Sequence, residues 1–259
     1  MDLGIAARKA IVCASSRGLG LGCATALARE GCQVVINGRD GVRLRQAGFE
    51  IRNRTGVSVI EVVADLTSEK GRNDLVSACP DADILVNNNG GPPPGNLEDW
   101  SHADWLAAVE ANMLAAIFLI KALLPGMRAR KFGRIVNITS ARVKTPTARM
   151  GLSASTRSGL TAFCKGLSIE IAADNVTINN LLPERIDTDR QYFMVQQVAD
   201  RATSSILEAR QQLTENLPAK RFGTVTEFAD ACAFLCSAQA GFISGQNLQI
   251  DGGSYRGLI

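Results

Sequence analysis

Short runs of β-branched and apolar residues alternate with longer stretches of helical spacing along the whole chain, and this alternation is what most narrows the possible folds. Strands that are apolar throughout must be covered on both faces, and parallel neighbours must be joined by crossovers long enough to hold a helix. Seven strands are predicted, at Lys9–Cys13, Gln33–Ile36, Ser58–Val63, Asp83–Val86, Arg134–Ile138, Val176–Leu182 and Asn247–Ile250. Helices are predicted to begin near Leu19, Gly41, Ser68, Trp100, Ala154, Asp189 and Thr224, with Ser101 and Asp104 as the capping pair of the fourth. Leu160, Phe163, Leu167 and Ile171 share one apolar face of the fifth. The expected fold class is α/β, a single domain with a seven-stranded parallel sheet and helices on both faces. No repeat, low-complexity tract or linker divides the 259 residues, and the Gly-Pro-rich segment Gly90–Gly95 reads as a loop beyond the fourth strand.

Composition removes several kinds of chemistry. Lys and Arg number 28 against 25 Asp and Glu, a net charge of +3 that is too mild and too evenly spread for a nucleic-acid or anionic-membrane surface. His102 is the only histidine, so no metal is expected: a His-ligated centre is excluded, and most Ser-His-Asp arrangements hang on that one side chain. Seven cysteines stand at scattered positions with no Cys-x-x-Cys pair, which suits small buried hydrophobes in a reducing cytoplasm rather than a disulfide framework. The start lacks a basic segment followed by an apolar one, and the longest apolar run, Met113–Ile120, stops at Lys121. These features lead to the expectation of a soluble, cytoplasmic protein that works on small molecules, with no membrane and no nucleic-acid partner.

After the first strand comes Cys13-Ala-Ser-Ser-Arg-Gly-Leu-Gly-Leu-Gly22. Glycines at a strand-to-helix turn let backbone approach a pyrophosphate, and the following helix N-terminus offers unpaired N–H groups. Tight turns use glycine for structural reasons as well, so the end of the second strand has to decide. An acidic residue there would suit a free ribose 2′-hydroxyl, but the chain reads Asn37-Gly38-Arg39, with Arg17 inside the glycine turn. Two guanidinium groups suit a 2′-phosphate, which favours NADP(H) over NAD(H).

These residues resemble the short-chain dehydrogenase/reductase (SDR) family, in its 3-oxoacyl-[acyl-carrier-protein] reductase-like branch, over almost the entire chain. The family's T-G-x-x-x-G-x-G turn falls on Cys13, Ala14, Gly18 and Gly20, its Asp-Leu on Asp65-Leu66, and its N-N-A-G on Asn87-Asn88-Asn89-Gly90. Asn112 matches the asparagine of the fourth helix and Ser140 the catalytic serine. Pro183, Ile186 and Thr188 match P-G-x-I-x-T, and the tail through Asp251-Gly-Gly matches the closing strand. The resemblance implies a Rossmann fold and NADPH held by Ser15, Arg17, Gly18, Leu19, Gly20, Asn37, Arg39, Asp65, Leu66, Asn88, Gly90, Arg157, Pro183, Ile186 and Thr188. It also implies a carbonyl or acyl-thioester substrate, a substrate lid at about 189–217 and a homotetramer built on the fourth and fifth helices.

The departures matter more than the matches. Ala14, Asn89 and Glu184 stand where the family has Gly, Ala and Gly. The catalytic Tyr-x-x-x-Lys becomes Ser153-x-x-x-Arg157, and neither Tyr192 nor Tyr255 begins another such motif. In the family, as the resemblance implies, the tyrosine protonates the carbonyl oxygen as hydride leaves nicotinamide C4. A serine hydroxyl is far less acidic than a phenol, and arginine stays protonated near neutrality, so this pair is not poised for proton transfer. The expected catalytic set is Asn112, Ser140, Ser153 and Arg157, with Tyr192 or Lys144 as a proton source through water. Three functions are in play: an NADP(H)-dependent reductase of a ketone or 3-oxoacyl-like carbonyl, a cofactor-binding sensor or scaffold without hydride transfer, and a non-redox enzyme on the same scaffold.

Overall fold

The computed structural model describes residues 2–258. All seven predicted strands form, as β1 (Lys9–Val12), β2 (Gln33–Gly38), β3 (Val59–Val63), β4 (Ile84–Asn87), β5 (Gly133–Ile138), β6 (Val176–Pro183) and β7 (Asn247–Ile250). They make one parallel sheet in the order β3-β2-β1-β4-β5-β6-β7. Alternate residues go to opposite faces, so the sheet has two cores. Val12, Ile36, Val86 and Val136 pack under helices α1 (Gly18–Arg29), α2 (Gly41–Thr55) and α9 (Val225–Leu235). Ile11, Val35, Leu85 and Ile135 pack under α3 (Glu69–Ala78), α5 (Ala115–Ala129) and α6 (Gly151–Ile171). The order reverses between β1 and β4, the point at which open α/β sheets place a crevice beyond the strands' carboxyl ends.

Three local features differ from expectation. The fourth predicted helix opens on Ser101 and Asp104 with reciprocal capping bonds, but divides into α4 (His102–Val109), a π-helical turn at Glu110–Leu114, and α5. Together they run 28 residues and contain an 18-residue window with a mean hydropathy of 1.8, long and apolar enough for a membrane span, yet Leu119, Ile120, Leu123 and Met127 are committed to the sheet's core. On α6, Leu160 and Ile171 are buried and Leu167 packs against them, whereas Phe163 faces outward. The lid divides into α7 (Asp189–Ala202) and α8 (Ile206–Glu215), with a small core of its own from Val195, Ala199, Ala209, Leu217 and Phe222. All seven cysteines are buried and unpaired, and no metal-binding group of His, Cys, Asp and Glu occurs among the described residues.

Four asparagines stand at matched register across β4 to β7: Asn87 opposite Asn137, Asn137 opposite Asn180, and Asn180 opposite Asn247. Each donates its side-chain amide to the next carbonyl oxygen, at 2.8, 2.9 and 2.8 Å. Removing the middle member leaves two buried amide groups with a lost partner. The Asn137→Ala variant should therefore lose about 3 kcal/mol in urea unfolding. In a double-mutant cycle with Asn180→Ala, the two losses should not add.

Candidate active site

The turn after β1 begins with Ala14 at φ +44, in the left-handed region that glycine favours. Asn37 holds it there. Its side-chain oxygen accepts from Ala14 N–H at 3.3 Å, while its amide donates to the carbonyls of Val62 and Ala64 on the next strand, at 3.0 and 3.1 Å. Gly18 takes φ +57, and a Cβ on Gly20 would lie 2.4 Å from the Ala14 carbonyl oxygen. The turn can exist only with glycine at that second position, and it leaves the N-terminus of α1 facing a cleft of about 800 Å³.

The cleft gathers most of the expected residues: Arg17, Gly18, Leu19, Arg39, Asp65, Leu66, Asn88, Gly90, Ser140, Ser153, Arg157, Pro183, Ile186 and Thr188. Two expected cofactor contacts, Ser15 and Gly20, do not line the cleft. Ser15 is fully buried and donates to the Val12 carbonyl, so Ser16 is the serine that lines the cleft. Asn37 borders the cleft, but its side chain is consumed by the three bonds that shape the turn. Asn112, at the π turn, lines an adjoining cavity of about 20 Å³ together with Asn88, Asn89 and Arg157. Its amide donates to Ala108 O at 3.3 Å, and its buried Oδ1 has no hydrogen-bond partner.

Arginines dominate the site. At the end of β2, Arg39 is joined by Arg43 on the first turn of α2, one helical turn away from the strand end and absent from the sequence expectation. Asp40 beside them caps α2, and the N–H groups of Arg43 and then Val42 hold its carboxyl below the usual range. Asp65 is lowered as well, first by the Thr67 N–H and hydroxyl and then by Arg39, so it stays ionised. Arg17 turns the other way and pairs with Asp189 of the lid at 3.0 Å.

In α6, Ser153 and Arg157 lie one turn apart on the buried face, and Arg157 Nη1 donates to Ser153 Oγ at 2.5 Å. Burial first, and the like charge of Arg190 second, pull the Arg157 guanidinium down to about 10, which leaves it cationic at neutral pH. Ser140 lies just beyond β5, caps the turn Ala141–Val143 and accepts from Arg142 N–H at 3.1 Å. The proposed proton sources are not here. Tyr192 is 57% exposed, because α7 buries Gln191, Val195 and Ala199 and so turns Tyr192 to solvent. The Lys144 ammonium sits over the Tyr255 ring, 5.0 Å from its centroid.

Departures from the family pattern have partners of their own. Asn89 donates to the Ala111 carbonyl of the π turn at 2.8 Å, and Glu184 pairs with Arg142 across the end of the sheet. Arg185 and Arg190 also line the cleft and were missed, since nothing in their spacing marks them.

A parallel sheet with a glycine cradle at its switch point, a serine at the end of β5 and a paired polar set on the following helix defines a dinucleotide-dependent oxidoreductase scaffold. The chain belongs to the short-chain dehydrogenase/reductase family: the family described as enoyl-(acyl carrier protein) reductase matches residues 13–255. It is similar to the NADPH-dependent reductase BacG of Bacillus subtilis, 32% identical over 97% of this chain and 99% of that one. It also resembles the 3-oxoacyl-[acyl-carrier-protein] reductase FabG of Aquifex aeolicus, 30% identical over 98% and 100%. The solved structure of L-sorbose reductase from Gluconobacter frateurii, in complex with NADPH and L-sorbose, superposes with a TM-score of 0.94 at 31% identity and full coverage of both chains.

The strained turn yields a direct check. Ala14→Gly removes a left-handed alanine and should raise the unfolding free energy by about 1 kcal/mol. Gly20→Ala must displace the Ala14 carbonyl and should lower it by more than about 2 kcal/mol. Both are read by urea unfolding followed by circular dichroism.

Proposed function

We propose that the chain is an NADPH-dependent oxidoreductase that reduces a ketone or 3-oxoacyl-type carbonyl with a fixed-charge site in place of a tyrosine-lysine pair. The observation that carries this reading is the Ser153–Arg157 pair, buried on α6 beside the cleft that also holds the glycine turn and Ser140. The cradle of Gly18 and Gly20 and the α1 N-terminus fit a pyrophosphate, and Arg39 with Arg43 fits a 2′-phosphate. Ser16, Asp65, Leu66, Asn88, Gly90, Ile186 and Thr188 complete the NADPH site. Bound NADPH supplies the hydride.

The chain's own groups manage the oxygen. Arg157 donates to Ser153 Oγ, so the serine's proton is free to point at the substrate carbonyl oxygen. Ser140 offers a second hydroxyl. The buried positive charge of Arg157 stabilises the developing alkoxide, an effect that grows as water is excluded. Neither hydroxyl gives up its proton readily, so the oxygen is protonated by water drawn past Asn112, whose unpartnered Oδ1 lies in a cavity large enough for one water molecule. A positioned general acid contributes about 10²–10⁴-fold, and this enzyme is slower than a tyrosine-bearing relative by a factor within that range.

Exposed Leu106, Phe118, Phe163 and Ile169 along α4, α5 and α6 support a homotetramer built on these helices. Seven unpaired cysteines support a cytoplasmic setting.

NADPH binding, followed by fluorescence, should be of micromolar strength, and Arg39→Ala or Arg43→Ala should each reduce the preference for NADPH over NADH by about tenfold or more. No binding at millimolar NADPH, or tight binding with no turnover across ketones and 3-oxoacyl thioesters, would sink this reading. With no group titrating near neutrality in the catalytic set, kcat should stay level from about pH 6 to about pH 9 and fall as Arg157 loses its proton near about 10. The Ser153→Tyr, Arg157→Lys double variant should gain about 10²-fold in kcat and acquire an inflection below pH 9.

A further inference from the structure

The substrate half of the cleft is lined by three guanidinium groups, from Arg157, Arg185 and Arg190, alongside Ser140, Ser153 and Phe193. The carboxylates that line the wider cleft are all engaged elsewhere. Asp40 caps α2, Asp65 accepts from Thr67, and Asp189 pairs with Arg17. Glu184, next in sequence to Arg185, is taken by Arg142.

Arg185 is the least satisfied of the three. Its backbone sits at φ +56, a left-handed conformation for a long side chain, held by bonds between its carbonyl and Gly223 N–H at 3.0 Å. Its guanidinium is half-buried and makes no hydrogen bond or ion pair among the described residues. Arg190 reaches from the lid to the Pro92 carbonyl at 3.0 Å and lies over the Phe193 ring, 5.6 Å from its centroid. Its charge also bears on Arg157, so two like charges repel one another within the cleft. Arg185 feels the Glu184 carboxylate only through space and shares that carboxylate with Arg142, so it is a half-buried cation with little counter-charge, an arrangement relieved by a bound anion.

We propose that the substrate is a carbonyl compound carrying its own oxyanion, a carboxylate or a phosphate, and that Arg185 with Arg190 receives this group while the carbonyl meets Ser140, Ser153 and Arg157. The proposal rests on the reductase reading above and narrows it, because a simple neutral ketone has nothing to offer these two side chains. Arg185 and Arg190 are specificity residues on this view. The diphosphate of the cofactor is held at the other wall, by the glycine turn and the α1 N-terminus.

Calorimetric titration of the full chain, saturated with NADP⁺, compares acetoacetate with methyl acetoacetate and dihydroxyacetone phosphate with dihydroxyacetone. At least one anion should bind about tenfold or more tightly than its neutral counterpart, and which pair shows the preference tells carboxylate from phosphate. Arg185→Gln and Arg190→Gln should each bring the preference to within about threefold, Arg185→Lys should restore part of it, and NADPH affinity should stay within about twofold in all three. Equal binding of anion and neutral partner, or no binding of either, overturns the proposal. So does an Arg185→Gln variant that loses NADPH affinity while keeping the preference. Should the wild-type chain not bind NADPH, the reductase reading fails, and the same titrations on the cofactor-free protein decide whether the arginines select an anion.

Discussion

The asparagine ladder under the site sets the positions of nearly everything above it. Strands of continuous apolar sequence have little to distinguish one register from the next, and a slip by one residue exchanges the two faces. Asn87, Asn137, Asn180 and Asn247 remove that freedom, because a displaced strand would leave buried amides without partners. Asn137 also donates to the Cys164 sulfur at 3.3 Å, which ties α6 to the same layer. Each rung precedes a segment that lines the cleft: Asn88 to Gly90 after the first, Ser140 after the second, Pro183 to Thr188 after the third. Those segments emerge together at the carboxyl end of the sheet because the residues before them are locked side by side.

Above that layer, the departures from the family pattern form compensated sets. Asn89 supplies a donor to a carbonyl that the π turn leaves facing the site, and Glu184 is neutralised by Arg142. Ser153 and Arg157 fit one another as a pair: the guanidinium reaches back four residues to the hydroxyl and still has donors to spare. What is lost is an acid that titrates within reach of neutral pH. On the proposed reading, what remains is a charge held through neutral pH beside the carbonyl oxygen, which favours charge stabilisation over proton transfer.

The strands, the capping pair at Ser101 and Asp104 and the role of the buried cysteines were legible because each depends on near neighbours in sequence and on burial. Most of the cleft was legible as well, through motif order. The misses share one physical cause, the direction of a side chain set by geometry that sequence does not carry. Ser15 and Ser16 are exchanged because the left-handed backbone at Ala14 turns the chain. Tyr192 faces solvent because the phase of α7 is fixed by Gln191, Val195 and Ala199. Arg43 required knowing that α2 starts close enough to return to the end of β2. The Arg142–Glu184 pair joins residues 42 apart in the chain.

The lid follows from the same balance. Its helices enclose their own small core, so they can shift as a unit without exposing the main one. Ion pairs and one hydrogen bond tie it to the rest of the chain: Arg17 to Asp189, with side chains 59% and 71% exposed, Arg210 to Asp187, with side chains 40% and 49% exposed, and Arg190 to the Pro92 carbonyl. An exposed ion pair of that kind contributes no more than about 1 kcal/mol, well below what a bound dinucleotide supplies. The fastening is therefore weak enough to open for a ligand and still sufficient to aim Arg190 into the cleft, which places the lid's charge where an incoming anion would meet it first.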